Sequence, residues 1–221
     1  MAGNGYIAFM SKAPESLPEK NSLVKVLMDL IGKIPVSKES ERSDPKIRAQ
    51  AIARSASRRA ATISGALALP PGPFGIATVL PDLISIWHIQ RQMVADIASV
   101  YGKSAVLNRE VMLYCLFKHG AAALVRDVVS RVGERLLFKK VAAAGVQQLL
   151  QKIGLRFSQR VIGQTLSRFV PVLGALGVGA YAYYDTNKVA VTAIETFSRE
   201  IQLLGPPPVG SKDTALPLGG Q

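Results

Sequence analysis

The stretch from Ala60 to Pro81 contains no charged residue and is interrupted at its centre by Pro70-Pro71-Gly72-Pro73. A continuous helix cannot cross that cluster. Proline lacks a backbone N–H, clashes with the preceding turn and biases the residue before it away from helical angles. The run therefore reads as two apolar arms around a rigid turn. A bilayer span needs about 20 continuous apolar residues, and each arm is shorter. Beyond Pro81, Asp82 opens an amphipathic helix that closes at Gly102. A second uncharged run, Phe169 to Tyr184, has Pro171 near its start and Gly174, Gly177 and Gly179 inside it. Small residues at that spacing let helices approach closely. No window shows sustained alternation of β-branched residues, so the expected fold class is all-α. It is a helical bundle with two apolar Gly/Pro-rich helical hairpins.

The remaining segments read as follows. Residues 1–20 form a loose lead-in, a single helical domain covers 21–205, and the Gly/Pro-rich tail over 206–221 is expected to be disordered. Leu23, Val26, Leu27, Leu30 and Ile34 share one face of a short helix that Pro35 stops. Asp44-Pro45 is an N-cap followed by proline at the first helical position, and the helix it starts runs to about Ala61. That helix is strongly basic, with Lys46, Arg48, Arg54, Arg58 and Arg59. Asn108 caps a long helical region. Val128, Val129, Val132, Leu136 and Leu137 recur at helical spacing and extend it to Lys140. A further helix covers about Val141 to Arg168, and Asp185 opens a last one that reaches about Leu204.

The segments Asp82–Gly102 and Asp185–Gly205 align without a gap. Asp82, Ser85, Gln92, Asp96 and Ser99 fall opposite Asp185, Lys188, Glu195, Arg199 and Gln202. Their three- and four-residue spacing puts each set on one helical stripe. The alignment predicts a pseudo-symmetric internal repeat.

Net charge is +12, which favours partners with negative fields: an anionic membrane surface, nucleic acid or an acidic protein. Aromatics make up only 6% of the chain, so stacking platforms for single-stranded nucleic acid are scarce and that partner is disfavoured. A basic helix leading into an uncharged hairpin can lie on an anionic bilayer. Candidate contacts are Arg48, Arg54, Arg58 and Arg59, with Leu69, Pro70, Pro71, Pro73 and Phe74 from the first run and Phe169, Pro171 and Leu173 from the second. The N-terminus has neither the basic region nor the apolar run of a secretory signal, so the expected address is the cytosol or the cytosolic face of a membrane.

Catalytic chemistry finds little purchase. Gly102-Lys103-Ser104 resembles the end of a phosphate-binding loop, but the required earlier glycine is Ile97. Neither zinc spacing nor a nucleophile–base pair is present, and Cys115 sits in the apolar run YCLFKHG and reads as core. No catalytic, metal or cofactor residue is assigned. Asp82 and Asp185 each follow an uncharged run. Capping accounts for both, and an ionisable group at membrane depth is the sharper alternative. His88, Gln92 and Asp96 share one polar stripe, read first as a polar face and second as a proton-relay or metal site.

The run Gly65…Pro73…Leu80-Pro81-Asp82, with Gln90 or Gln92, Ile97-Ala98 and Tyr101-Gly102, resembles the EcsC family of bacterial proteins. Phe169-Val170-Pro171-Val172-Leu173-Gly174 followed by Asp185 looks like that family's second apolar motif. The resemblance covers roughly residues 45–204. It implies an all-helical protein with no catalytic residues to transfer. The family is named from an operon that also encodes an ABC transporter, which points to a transport or secretion component as protein partner. The expected function is thus a non-catalytic, peripheral or re-entrant membrane protein. The alternatives are a soluble helical interaction module with buried hairpins, a basic nucleic-acid binder, and an enzyme using the Asp82/His88/Asp96 face.

Overall fold

A computed structural model describes residues 28–29, 32–68, 79–125, 128–141, 144–152 and 171–204. Four long helices dominate: α1 (Pro45–Leu67), α2 (Val79–Val100), α3 (Arg109–Val125) and α4 (Pro171–Phe197). A 3-10 turn (Ser104–Val106) joins α2 to α3, and residues 144–152 are helical. The all-α expectation holds for the body of the molecule. To it is added a small sheet of β1 (Val129–Val132), β2 (Arg135–Lys139) and β3 (Glu200–Leu204), in the order β1-β2-β3.

α3 is the central element. Glu110 through Phe117 are all buried, so the start of the helix is covered on every side. Trp87 of α2 meets Phe117 edge-on with ring centroids 6.4 Å apart, and Tyr114 meets Phe138 of β2 at 5.4 Å. Cys115 is fully buried in this core, and desolvation pushes its thiol up to about 12. Asn108 is the cap the sequence announces: its Oδ1 accepts from the Val111 N–H at 2.9 Å.

α1 crosses α4 on a stripe of small residues. Ala49, Ala53, Ala56, Ser57, Ala60 and Ser64 form its buried face. At Gly179 a Cβ would stand 2.9 Å from the Ala61 carbonyl oxygen and 3.6 Å from Gly65 Cα, so the two backbones are in near contact. Among the described residues the uncharged end of this crossing holds two small clusters: Ala60 with Ile86 and Ala182, and Ala68 with Ala175 and Val178.

Several expectations are corrected. α1 does not stop near Ala61 but runs to Leu67, because the first apolar arm offers no breaker before Ala68, whose N–H still bonds the Ser64 carbonyl at 3.0 Å. Asp44 precedes Pro45 as expected yet makes no side-chain capping bond. From Pro171 the second apolar run is one continuous helix rather than a hairpin, since proline at the first position needs no N–H. Asp185 consequently lies inside α4 instead of opening a helix.

Residues 129–139 form a β-hairpin, not a helix. Gly133, at φ 59°, makes the Gly133-Glu134 turn, and Val132 pairs with Arg135 across it. The last helix ends at Phe197, and Glu200–Leu204 turns away to pair in parallel with β2. The aligned segments Asp82–Gly102 and Asp185–Gly205 therefore differ in conformation: Ser99 is helical and its counterpart Gln202 is in a strand. The lead-in, the tail and most of the short helix before Pro35 fall outside the described residues.

Candidate functional site

Antiparallel α1 and α2 leave a cleft of about 340 Å³ between them, walled on its third side by the extended segment that follows Pro35. Arg48, Ser55 and Arg59 line it from α1, His88, Gln92 and Asp96 from α2, and Glu39 from the extended segment. Ile52, Ala56, Ile89 and Met93 give it an apolar floor. Helical periodicity accounts for the grouping. Residues 48, 52, 55 and 59 share one face of α1, as 88, 92 and 96 share one face of α2.

The two ends of the cleft differ. At one, Glu39 accepts two bonds from Arg48, at 3.0 Å from Nε and 2.5 Å from Nη2. This fork holds the Glu39 carboxyl below its ordinary range. Asp96 accepts from Ser37 Oγ at 2.7 Å and from Gln92 Nε2 at 3.0 Å, both on Oδ1. At the other end, Arg59 and His88 make no hydrogen bond or ion pair among the described residues. Burial, then the Arg91 guanidinium, lowers the His88 pKa.

The polar stripe of α2 has a plain structural use. Gln92 Nε2 donates to the Val36 carbonyl at 3.2 Å, Ser99 Oγ to that of Glu39 at 2.5 Å, and Asp96 holds Ser37. The Arg42 N–H reaches the Val100 carbonyl at 3.1 Å. Together they strap residues 36–42 along α2.

Asp82 is not part of the cleft. It is 5% exposed and accepts from Ser64 Oγ at 2.6 Å, joining α2 to α1. The Asp82/His88/Asp96 face anticipated from periodicity is therefore divided between two places. Asp185 lies in a third: its Oδ2 accepts from Gln90 Nε2 at 2.8 Å, and His119 Nε2 stands 2.8 Å from its Oδ1. Gln90 also reaches Thr186 Oγ1 at 3.3 Å. This network ties α2, α3 and α4 together, which displaces the capping role expected of Asp185.

Of the candidate contacts, Arg48 and Arg59 line the cleft and Arg54 and Arg58 lie elsewhere on α1, all four of them exposed. Leu69, Pro70, Pro71, Pro73, Phe74 and Phe169 lie outside the described residues, and Pro171 and Leu173 are placed by backbone only, in the first turn of α4. Sequence reasoning missed Glu39 and His119. It missed Leu176, Tyr181, Tyr183 and Tyr184 as well, which are exposed on α4 at 67, 39, 39 and 57%. No group of three metal-ligating side chains occurs among the described residues.

Neither the family models nor the curated proteins nor the solved structures match this chain.

Proposed function

We infer that the chain is a peripheral membrane protein of the EcsC type that seats one uncharged end in a single leaflet, without catalysing a reaction. The observation that supports this most is the distribution of charge at that end. Ala60–Leu67 of α1 and the α4 residues before Asp185 have no charge, and the one charge on α2 before His88 is the buried Asp82. Among the described residues the first charges away from this end, besides the internally bonded Asp185, are Arg58 and Arg59, Arg91, and Lys188, whose Nζ lies 5.2 Å from the Tyr184 ring centroid. A basic collar beneath an apolar end with exposed Leu176 and three tyrosines suits an anionic interface, where tyrosine places its ring in the apolar layer and its hydroxyl in the headgroups.

The uncharged lengths are too short to cross. Ala60–Leu67 rises about 12 Å and Pro171–Tyr184 about 21 Å at 1.5 Å per residue, against a hydrocarbon core of about 30 Å, so α4 enters a single leaflet at a tilt. No helix among the described residues is long and apolar enough to cross a membrane. The helices satisfy their own backbone groups, as lipid contact demands. On this reading a transport or secretion component is the protein partner, and the cytosolic face of a membrane the address.

Flotation with phosphatidylcholine vesicles, with and without an anionic lipid, tests it. The chain is expected to float with anionic vesicles, and Leu176→Asp with Tyr184→Asp to abolish flotation while leaving the circular dichroism unchanged. A monodisperse, detergent-free protein that stays at the bottom of every gradient would overturn the reading and leave the apolar end as a protein-docking surface.

A further inference from the structure

We propose that the cleft between α1 and α2 is a binding site for a small phosphate monoester, with the phosphate at Arg59 and His88 and a hydroxyl or ammonium group of the organic part at Asp96. Its size, about 340 Å³, falls in the range of small-ligand sites, about 300–1,000 Å³. The site goes beyond the membrane reading and shares only Arg59 with it, and the soluble arm of the test below reads Arg59 without any membrane.

The charges facing the cleft are Glu39, Arg48, Arg59, Asp96 and the titratable ring of His88. Glu39 and Arg48 satisfy one another through two bonds. Both hydrogen bonds to Asp96 fall on Oδ1, so among the described residues Oδ2 accepts none, and Arg48 acts on this carboxylate through space only. Among the described residues Arg59 is the cleft cation left without a counter-charge, on a helix with no acidic residue from Pro45 to Leu67. What the cleft lacks is therefore an anion at one end and a donor at the other, joined by a group that tolerates Ile52, Ile89 and Met93.

Phosphate fits better than carboxylate. A guanidinium fork occupies both oxygens of a carboxylate, whereas a phosphate monoester keeps a third oxygen for the imidazole N–H. Along α2, His88 to Asp96 spans about 12 Å, the distance that a phosphate, a short carbon chain and a terminal polar group have to bridge.

The same chemistry occurs free in solution and on a lipid whose headgroup is a phosphate monoester, and two arms separate these sources. In the first, the full chain is titrated calorimetrically with O-phosphoethanolamine and with glycerol 3-phosphate. In the second, it is titrated with vesicles bearing phosphatidic acid, and with vesicles bearing phosphatidylglycerol, a diester, as the control. Binding of a soluble probe, weakened about tenfold or more by Arg59→Gln and unchanged by Lys140→Gln, supports the site with a soluble ligand. A preference for phosphatidic acid over phosphatidylglycerol that Arg59→Gln abolishes and Lys140→Gln spares supports it with a lipid. Absence of any Arg59-dependent binding in both arms, or equal losses in Lys140→Gln and Arg59→Gln, overturns it. A chain that fails to float yet binds a soluble probe through Arg59 would reject the membrane reading and keep this one.

Discussion

His119 Nε2 lies 2.8 Å from Oδ1 of Asp185, joining α3 to the middle of α4. The other carboxylate oxygen is held by Gln90, which is 1% exposed. A carboxylate inside a helix bundle is tolerated when its oxygens are bonded, and its removal strands the donors it served. Asp185→Ala is therefore expected to lower the stability to urea by about 2 kcal/mol, chiefly through the buried Gln90 amide. Asp185→Asn, which keeps an acceptor for Gln90, should lose clearly less. Equal losses in the two variants would show that the network contributes nothing beyond packing.

Much of the helical body was legible in the sequence because its signals are local. Gly102 ends α2 at φ 66° and Asn108 caps α3. What escaped depends on distant partners. Asp185 follows an apolar run just as Asp82 does, and only residues 66 and 95 positions away reveal that it is a tie between helices. The hairpin was hidden by ambiguity: Val129, Val132, Leu136 and Leu137 satisfy helical spacing, while Leu136 and Phe138 alternate equally well as the buried face of β2. Gly133 was the available signal for a turn. β3 pairs in parallel with a strand far upstream, and no local pattern announces such a partner. The cleft was half legible. Periodicity grouped His88, Gln92 and Asp96, but Glu39 and the facing Arg59 come from other elements.

Two glycines of α4 separate helix propensity from close packing. Gly177 has nothing within 4 Å of where a Cβ would sit, whereas at Gly179 that atom would press on the Ala61 carbonyl at 2.9 Å. Gly177→Ala should raise stability by about 0.5–1 kcal/mol through reduced backbone freedom. Gly179→Ala should lower it by about 1–3 kcal/mol by wedging α1 from α4. Thermal unfolding of the pair gives both signs, and a stabilising Gly179→Ala would contradict the near contact of the two backbones.

The strap over residues 36–42 depends on polar side chains of α2 rather than on burial of apolar surface. Asp96→Ala removes the acceptor for Ser37 and one of the two acceptors of Gln92, while leaving the Gln92–Val36, Ser99–Glu39 and Arg42–Val100 bonds in place. Limited trypsin digestion should then cut at Lys38 and Arg42 several-fold faster, with α1 and α2 surviving as intact fragments. Unchanged cleavage would mean that the strap is held without Asp96.

Acid should weaken the fold in two stages set by opposite members of the cleft. His88 has its folded pKa lowered from 6.5 by burial and by Arg91, so the unfolded chain takes up the proton first. Stability therefore falls as pH drops through 6.5 toward the lowered folded value. The ring is partly exposed, so this loss is small. Glu39 behaves in the acid sense: its carboxyl is held below 4.5 by the Arg48 bonds, and the stability this adds is present above 4.5 and lost as pH falls through the folded value. Urea midpoints measured from pH 8 to 3 should show the first decline vanish in His88→Gln and the second shrink in Glu39→Gln. If His88→Gln keeps the whole slope between pH 7 and the lowered value, the decline originates elsewhere and His88 is not desolvated in the cleft.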